Sequence, residues 1–198
     1  MLSSEDYREC LVKNLITIRD SIKVHDQLVE SEKEIQRGVL DRLWVLSQRY
    51  SIISKGAPTK LNFPAVHPPE GEIKAEFLAK FCSLESSNLK LTTSLSNVKN
   101  TFSALEKFLD QMEVEHLSVL DQATSLQLPF SSCLEMLADL IKYFTKLQSQ
   151  MNCFALLLRP DSVSSVELYK KFLKPNQDFS EHLSKSLAML HILKKTKS

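Results

Sequence analysis

One stretch of this chain repeats apolar residues at alternating spacings of four and three from Phe77 to Ala123. This period is typical of a helix that packs along another helix, as in coiled coils and helical bundles. Neither proline nor glycine occurs between Gly71 and Pro129. The pattern predicts a helix over about residues 72–124, roughly 80 Å long at 1.5 Å per residue. A helix of that length must bury its apolar face against another long helix, in this chain or in a partner. The repeat positions are Phe77, Phe81, Leu84, Asn88, Leu91, Leu95, Val98, Phe102, Leu105, Leu109, Met112, His116, Val119 and Ala123.

A repeat of the same period precedes this one, between residues 11 and 53. Its centre is imperfect, because His25, Glu32 and Gln36 occupy seam positions and Gly38 follows them. Glycine costs about 1 kcal/mol relative to alanine in a helix interior. Two interpretations stay open here: a bend close to Gly38, or a polar stretch that fixes the register of the helix pair. The repeat positions are Leu11, Leu15, Ile18, Ile22, His25, Val29, Glu32, Gln36, Val39, Leu43, Leu46, Tyr50 and Ile53.

The segment KLNFPAVHPPEGEIK between the two repeats contains three of the seven prolines and one of the three glycines. Proline forces extended backbone on the residue before it, so helix is disfavoured here. We expect a joint at residues 54–71 about which the two long helices fold into an antiparallel hairpin. In that hairpin Ile53 would lie near Phe77. Leu11 would lie towards Val119.

Three shorter helices are predicted in the last third of the chain. Ser132, Ser164 and Asp178 each precede a glutamate by three residues, which is the spacing of a capping box at a helix start. Pro160 and Pro175 end the first two of these helices. No stretch alternates polar and apolar residues as a strand would.

We therefore expect an all-α fold, an elongated antiparallel helical hairpin or bundle of two long helices with three shorter C-terminal helices. Residues 1–128 would form the long hairpin with its Pro-rich joint at 54–71, and residues 129–198 would pack on it. Trp44 and Leu40 widen the apolar face of the first helix beyond what one partner helix covers. A third element should dock there, and the third helix is the candidate.

The composition argues against several classes of function. The formal net charge of +1 lacks the basic excess that is typical of nucleic-acid-binding proteins, so direct nucleic-acid binding is not favoured. Phosphate-binding loops are rich in glycine, and the chain has only three glycines in 198 residues, so such a loop is not expected. The motifs GxGxxG, GxSxG, HExxH and CxxC are absent. We predict no catalytic, cofactor-binding or metal-binding residue, no cofactor and no enzyme activity.

His25 and His116 both fall on seam positions. Each could be a polar residue that sets helix register, or the two could meet across the helix pair as a pH-sensitive contact. The four cysteines lie among apolar helical positions, which predicts buried free thiols in a reducing compartment. They are Cys10, Cys82, Cys133 and Cys153.

The C-terminal third is rich in lysine, which indicates either a solvated face and a frayed tail or contact with an acidic partner or ribosomal RNA. These residues are Lys170, Lys171, Lys174, Lys194, Lys195 and Lys197. The N-terminal MLSSEDYREC has no basic segment followed by an apolar run, so we expect no signal peptide. No stretch approaches the ~20 apolar residues of a membrane-spanning helix, so no membrane association is expected.

The chain combines a long helix with Trp44, an LNFPAV joint, a very long second helix, then SSCLEMLADLIKYFTKLQSQMNCFALLL and two short helices. Over nearly the whole chain this layout resembles a family of small helical ribosome-maturation factors, adaptor subunits of a hexameric AAA+ ATPase that acts on large-ribosomal-subunit precursors. The resemblance is one of pattern and carries over no functional residue. It implies a non-catalytic scaffold that binds the ATPase and a second helical adaptor, and so associates indirectly with pre-ribosomal particles in the nucleus and cytoplasm.

An alternative from another class is a structural coiled-coil subunit of a kinetochore- or spindle-type assembly. Its long helix would pair in parallel with other chains, whereas the adaptor requires the two long helices to pair with each other. A small enzyme would require a cleft with a converging polar cluster.

Overall fold

The structure is a computed structural model that describes residues 4–54, 70–112 and 129–191. Every regular element in these ranges is an α-helix, and two long helices are followed by three shorter ones. The predicted all-α fold is therefore confirmed. The helices are α1 (Ser4–Ser54), α2 (Glu70–Asp110), α3 (Phe130–Leu156), α4 (Val163–Phe172) and α5 (Gln177–His191). The predicted joint at 54–71 lies almost wholly outside the described residues.

Helix α1 passes through Gly38 without interruption. Gly38 is exposed, and a Cβ atom built on it would meet nothing within 4 Å. The polar seam residues Glu32 and Gln36 are buried in the same stretch of helix. Of the two interpretations of this region, the uninterrupted helix and the burial of Glu32 and Gln36 favour the polar stretch that fixes register.

Helix α2 ends at Asp110, well before residue 124 where the sequence predicts its end. The backbone N–H groups of Gln111 and Met112 bond to carbonyls three residues back, at 3.3 and 3.0 Å. Such a tightened turn is a common way for a helix to end. The prediction of one uninterrupted helix is thus wrong at this point, and the rest of that prediction lies outside the described residues.

The short helices begin earlier than their predicted caps. The N-cap of α4 is Ser162, whose hydroxyl accepts a hydrogen bond from the Ser165 N–H at 3.3 Å, and Ser164 lies inside the helix. Before α5, Oδ1 of Asn176 accepts from the Phe179 N–H at 3.2 Å. Ser and Asn are both good N-caps, so spacing to a glutamate was the weaker signal.

Helix α3 also begins before its predicted cap. The N–H of Cys133 bonds to the Pro129 carbonyl at 3.2 Å, so the helix starts at Phe130 and includes Ser132. Proline is well suited to this position because a helix start has no use for its missing N–H.

The chain forms two compact units. The first contains the described parts of Met1–Leu28, Thr92–Lys146 and Asn176–Ser198; the second contains those of Val29–Leu91 and Leu147–Pro175. Helices α1, α2 and α3 each contribute residues to both units. The predicted division between 128 and 129 begins at a residue outside the described ranges and stays a prediction.

In the first unit α1 and α2 run antiparallel. The rings of Tyr7 and Phe108 lie 6.3 Å apart, and the His25 ring lies 2.9 Å from the Ser94 hydroxyl. The core between the helices is built from the predicted seam. Its buried residues include Leu11, Leu15, Ile18, Ile22, Leu95, Val98 and Leu105.

In the second unit α1 and α2 are again antiparallel, and their register differs from the prediction. Arg42 forms an ion pair with Glu76 at 2.5 Å, which places Phe77 near this part of α1. Ile53 lies eleven residues further along α1, roughly 16 Å away at 1.5 Å per residue, so the expected proximity of Ile53 and Phe77 is wrong. Val119, in the other predicted pair, lies outside the described residues. Among the described helices, none is long and apolar enough to cross a membrane.

Candidate protein interface

A network of buried amide and hydroxyl groups lies at the centre of the second unit. Gln36 is fully buried, and its Nε2 donates to the Ser87 hydroxyl and to Oδ1 of Asn88, each at 2.8 Å. The Tyr169 hydroxyl donates to Oε1 of Gln36 at 2.7 Å. These bonds join α1, α2 and α4, and every polar atom of the Gln36 amide has a partner.

Helix α3 joins the same network. Nε2 of Gln148, itself buried, donates to the Asn88 backbone carbonyl and to Oδ1 of Asn152, each at 3.2 Å. Moving any helix along its axis would leave buried polar groups without partners, which costs more than the bonds themselves contribute. The network therefore fixes the relative register of the helices in this unit.

Burial raises the pKa of the Tyr169 hydroxyl, and a hydrogen bond with Asn88 partly opposes that effect. The hydroxyl is thus a neutral donor at physiological pH. Nearby on α1, Glu32 accepts from Lys90 at 3.1 Å through Oε1, while its buried Oε2 has no hydrogen-bond partner among the described residues.

Helix α4 also binds the outer side of α1 at Trp44. The indole N–H of Trp44 donates to Glu167 at 3.1 Å, and Nζ of Lys170 lies 6.0 Å from the centre of the ring. Lys170 further forms an ion pair with Asp41 at 2.5 Å. A third element was expected here with α3 as the candidate, and the hydrogen-bond and cation–π partners described for Trp44 belong to α4. The sequence pattern missed this because a ten-residue helix carries only a short apolar stripe.

His25 in the first unit is 1% exposed. One ring nitrogen lies 2.9 Å from the Ser94 hydroxyl, and the ring packs edge-on against Phe144 with centroids 4.8 Å apart. Burial lowers the pKa of His25 from 6.5 to about 4. These contacts fit a polar seam residue that sets register, and His116 lies outside the described residues.

A shallow groove of about 450 Å³ lies between α1 and α2 in the first unit. Its hydroxyl groups already have partners within the chain: Thr17 donates to the Lys13 carbonyl at 2.9 Å and Ser21 to the Thr17 carbonyl at 2.8 Å. They offer little to a polar ligand. Within the described ranges, no group of three or more His, Cys, Asp or Glu residues could hold a metal ion.

The four cysteines are free thiols, but their burial differs from the prediction. Cys133 is buried and Cys10 half-buried, whereas Cys82 and Cys153 are exposed. A buried residue lies two positions from each exposed cysteine, Leu84 from Cys82 and Met151 from Cys153, and a step of two on a helix turns the side chain to the opposite face. The expectation of four buried thiols was thus wrong for two of them.

One exposed surface of the second unit is apolar. The half-buried rings of Phe154 on α3 and Phe172 on α4 contact each other, with centroids 4.8 Å apart. Leu157 lies one turn beyond Phe154 and is 58% exposed. Leu168 lies one turn before Phe172 and is 56% exposed. We call these four residues the Phe154–Phe172 surface.

Positive charges border this surface. Lys171 and Lys174 follow Leu168 at successive spacings of three, and Arg159 follows Leu157 by two residues. All three are exposed, and none forms an ion pair with another described residue, in contrast to Lys170. The surface combines exposed apolar side chains with basic groups that are available for an external partner.

Models of known protein families were compared with the chain and none matches it. A comparison with curated proteins likewise finds no match.

Proposed function

We propose that this chain is a non-catalytic adaptor subunit of a multiprotein ATPase complex that acts in maturation of the large ribosomal subunit. Its partners would be the AAA+ ATPase and a second helical adaptor, and its association with pre-ribosomal particles would be indirect. It would act in the nucleus and cytoplasm.

The observation that carries the proposal is the Phe154–Phe172 surface. Exposed apolar patches bordered by polar residues are typical of sites where another protein binds. The buried amide network supports the same role, because a scaffold must hold its binding faces in one fixed geometry. The layout of helices adds the resemblance to adaptor subunits described above.

The alternative is a coiled-coil subunit of a kinetochore- or spindle-type assembly. That role needs long helices whose seams are open to other chains. Here the seam of α1 is occupied by α2 of the same chain, for example through Gln36 and Asn88. This pairing favours the adaptor proposal over the filament subunit.

The test is to purify the tagged full-length chain from its own cells at moderate salt and to identify the proteins that accompany it. The adaptor proposal expects a stoichiometric AAA+ ATPase together with large-subunit assembly factors. Recovery of other long coiled-coil chains without ribosomal material would overturn it.

A further inference from the structure

We propose that the Phe154–Phe172 surface binds an amphipathic helix of a partner protein, and that acidic residues flank the apolar stripe of this partner helix. The inference deepens the proposed adaptor function, on which it rests, by naming the surface and the chemistry of the segment that it binds.

The shape of the surface supports a helical partner. Leu168 and Phe172 on α4 are four residues apart, so they lie on one face of that helix. Phe154 lies in the last turn of α3, Leu157 follows in the turn after the helix, and the contact between Phe154 and Phe172 joins the end of α3 to the face of α4. A helix face that exposes apolar side chains beside the apolar end of a second helix is suited to receive the apolar stripe of a third helix.

The charged residues next to this surface indicate which kind of partner helix would bind. Lys171 projects one turn beyond Leu168, and Lys174 lies three residues further on. Neither forms an ion pair within the described part of the chain. In the same helix Lys170 is held by Asp41 and lies over Trp44, so it belongs to internal packing. A partner with glutamate or aspartate beside its leucines would pair with the two lysines, and complementary charge favours such a partner over a basic one.

RNA fits this surface less well. Phosphate binding depends on many cationic groups, whereas this surface includes the two exposed leucines Leu157 and Leu168. The two phenylalanine rings are half-buried and pack against each other, and Phe154 also stacks on Tyr169, which leaves less ring surface on which a base could stack.

The test uses the full-length chain and three synthetic 20-residue peptides of equal length and helicity. The first carries leucines at helical spacing with flanking glutamates, the second has lysines in place of the glutamates, and the third has serines in place of the leucines. A fluorescein-labelled single-stranded RNA of similar size is the fourth probe. Fluorescence anisotropy at 150 mM salt gives each affinity.

We expect the acidic peptide to bind at least tenfold more tightly than the lysine peptide, the serine peptide or the RNA. The double variant Leu157→Glu, Leu168→Glu should lose at least tenfold of this affinity. The double variant Lys171→Glu, Lys174→Glu should reverse the preference towards the lysine peptide. Val24→Glu is the matched control, because Val24 is 63% exposed and belongs to the other unit. It should leave binding unchanged.

Circular dichroism must show the same helicity in all variants, because the changed side chains are exposed. Equal affinity for the acidic and lysine peptides would overturn the proposal, as would tighter binding of the RNA. Binding that survives the double leucine variant would overturn it too. These outcomes are independent of the cellular purification. If the acidic peptide binds but no ATPase is recovered, the adaptor function fails and the surface stands. If the complex is recovered but the protein binds the acidic and lysine peptides equally, the proposed surface fails and the adaptor function stands.

Discussion

The hydroxyl of Tyr169 on α4 donates a hydrogen bond to the side-chain oxygen of Gln36 on α1, and the two oxygen atoms are 2.7 Å apart. Both residues are fully buried. The two residues are 133 positions apart in the chain. Gln36 is in turn bonded to α2 through Ser87 and Asn88. The second unit thus has a polar centre where a helical bundle usually has leucine. The main effect of such a centre is to select one register of the helices rather than to add to the free energy of unfolding. Only one register satisfies the hydrogen bonds of all its polar groups.

Replacing Tyr169 by phenylalanine tests this relationship. The change keeps the ring and removes the donor, so the Gln36 oxygen is left buried without it. We expect the free energy of unfolding to fall by about 1–3 kcal/mol, measured by urea denaturation. Tyr50→Phe is the matched control: the Tyr50 hydroxyl donates to Glu70 at 3.1 Å at an exposed site, so its loss should cost less than about 0.5 kcal/mol. Equal effects of the two variants would mean that burial of the network is unimportant.

The network also predicts non-additivity. Gln36→Leu removes the acceptor for Tyr169 and the donor for Asn88, so much of its damage overlaps with that of Tyr169→Phe. The double variant should be more stable than the sum of the single changes predicts, by at least about 0.5 kcal/mol. A double-mutant cycle from urea denaturation measures this coupling. Additive effects would show that the two side chains do not act together.

The sequence predicted which residues of the long helices are buried more accurately than it predicted what they contact. The four–three spacing marked Leu15, Ile22 and Leu91, and all three are buried. The register between the two helices was harder to predict from the sequence. One helix can shift by seven residues along the other, and the apolar repeats still match. The contacts that select one register are polar, and nothing in the repeat marks Ser87 or Gln148 as buried partners.

The candidate interface was visible in the sequence only in part. The lysines were noted as a basic region, and an acidic partner was one of the interpretations. The spacing of Leu168 and Phe172 on a short helix is equally compatible with a core position for Leu168. Only the docking of α4 through Tyr169 and its neighbours decides which side of that helix faces outward. Orientation of a ten-residue helix depends on tertiary contacts that a single stripe does not determine.

Gly38→Ala should stabilise the protein. Gly38 lies inside the continuous helix α1, and a Cβ there meets nothing within 4 Å. The gain should be about 1 kcal/mol in the free energy of unfolding, measured by urea denaturation. Gly71→Ala is the control, since Gly71 also has free space around it but lies in the first turn of α2, where the gain should be smaller. A loss of stability in Gly38→Ala would contradict a continuous helix at this position.

The thiols should react with a disulfide reagent such as Ellman's reagent in two classes. Cys82 and Cys153 are exposed and should react rapidly in the native protein. Cys133 is buried, and burial raises the pKa of its thiol, so it should react only when the chain opens. The double variant Cys82→Ser, Cys153→Ser should lose the rapid phase. Survival of a rapid phase in that variant would contradict the assigned burial, with half-buried Cys10 expected to be intermediate.

His25 makes the stability of the protein depend on pH in a defined window. Its pKa is 6.5 in the unfolded chain and about 4 in the folded protein, because burial disfavours the charged ring. The unfolded chain therefore binds more protons between these values. It follows that the free energy of unfolding is highest above pH 6.5 and falls as the pH decreases towards 4. Ser94 and Phe144 are the described residues that contact the His25 ring, and neither side chain titrates in this range.

The measurement is the free energy of unfolding at pH 7 and pH 5 for the wild type and for His25→Gln. We expect the wild type to lose about 1–2 kcal/mol more than the variant between these pH values. Subtracting the variant removes the contribution of carboxylates and of the exposed His182. The variant itself should be less stable than the wild type at pH 7, because a flexible amide replaces the ring that packs against Phe144. Identical pH dependence in both proteins would show that His25 titrates normally and that water reaches its ring.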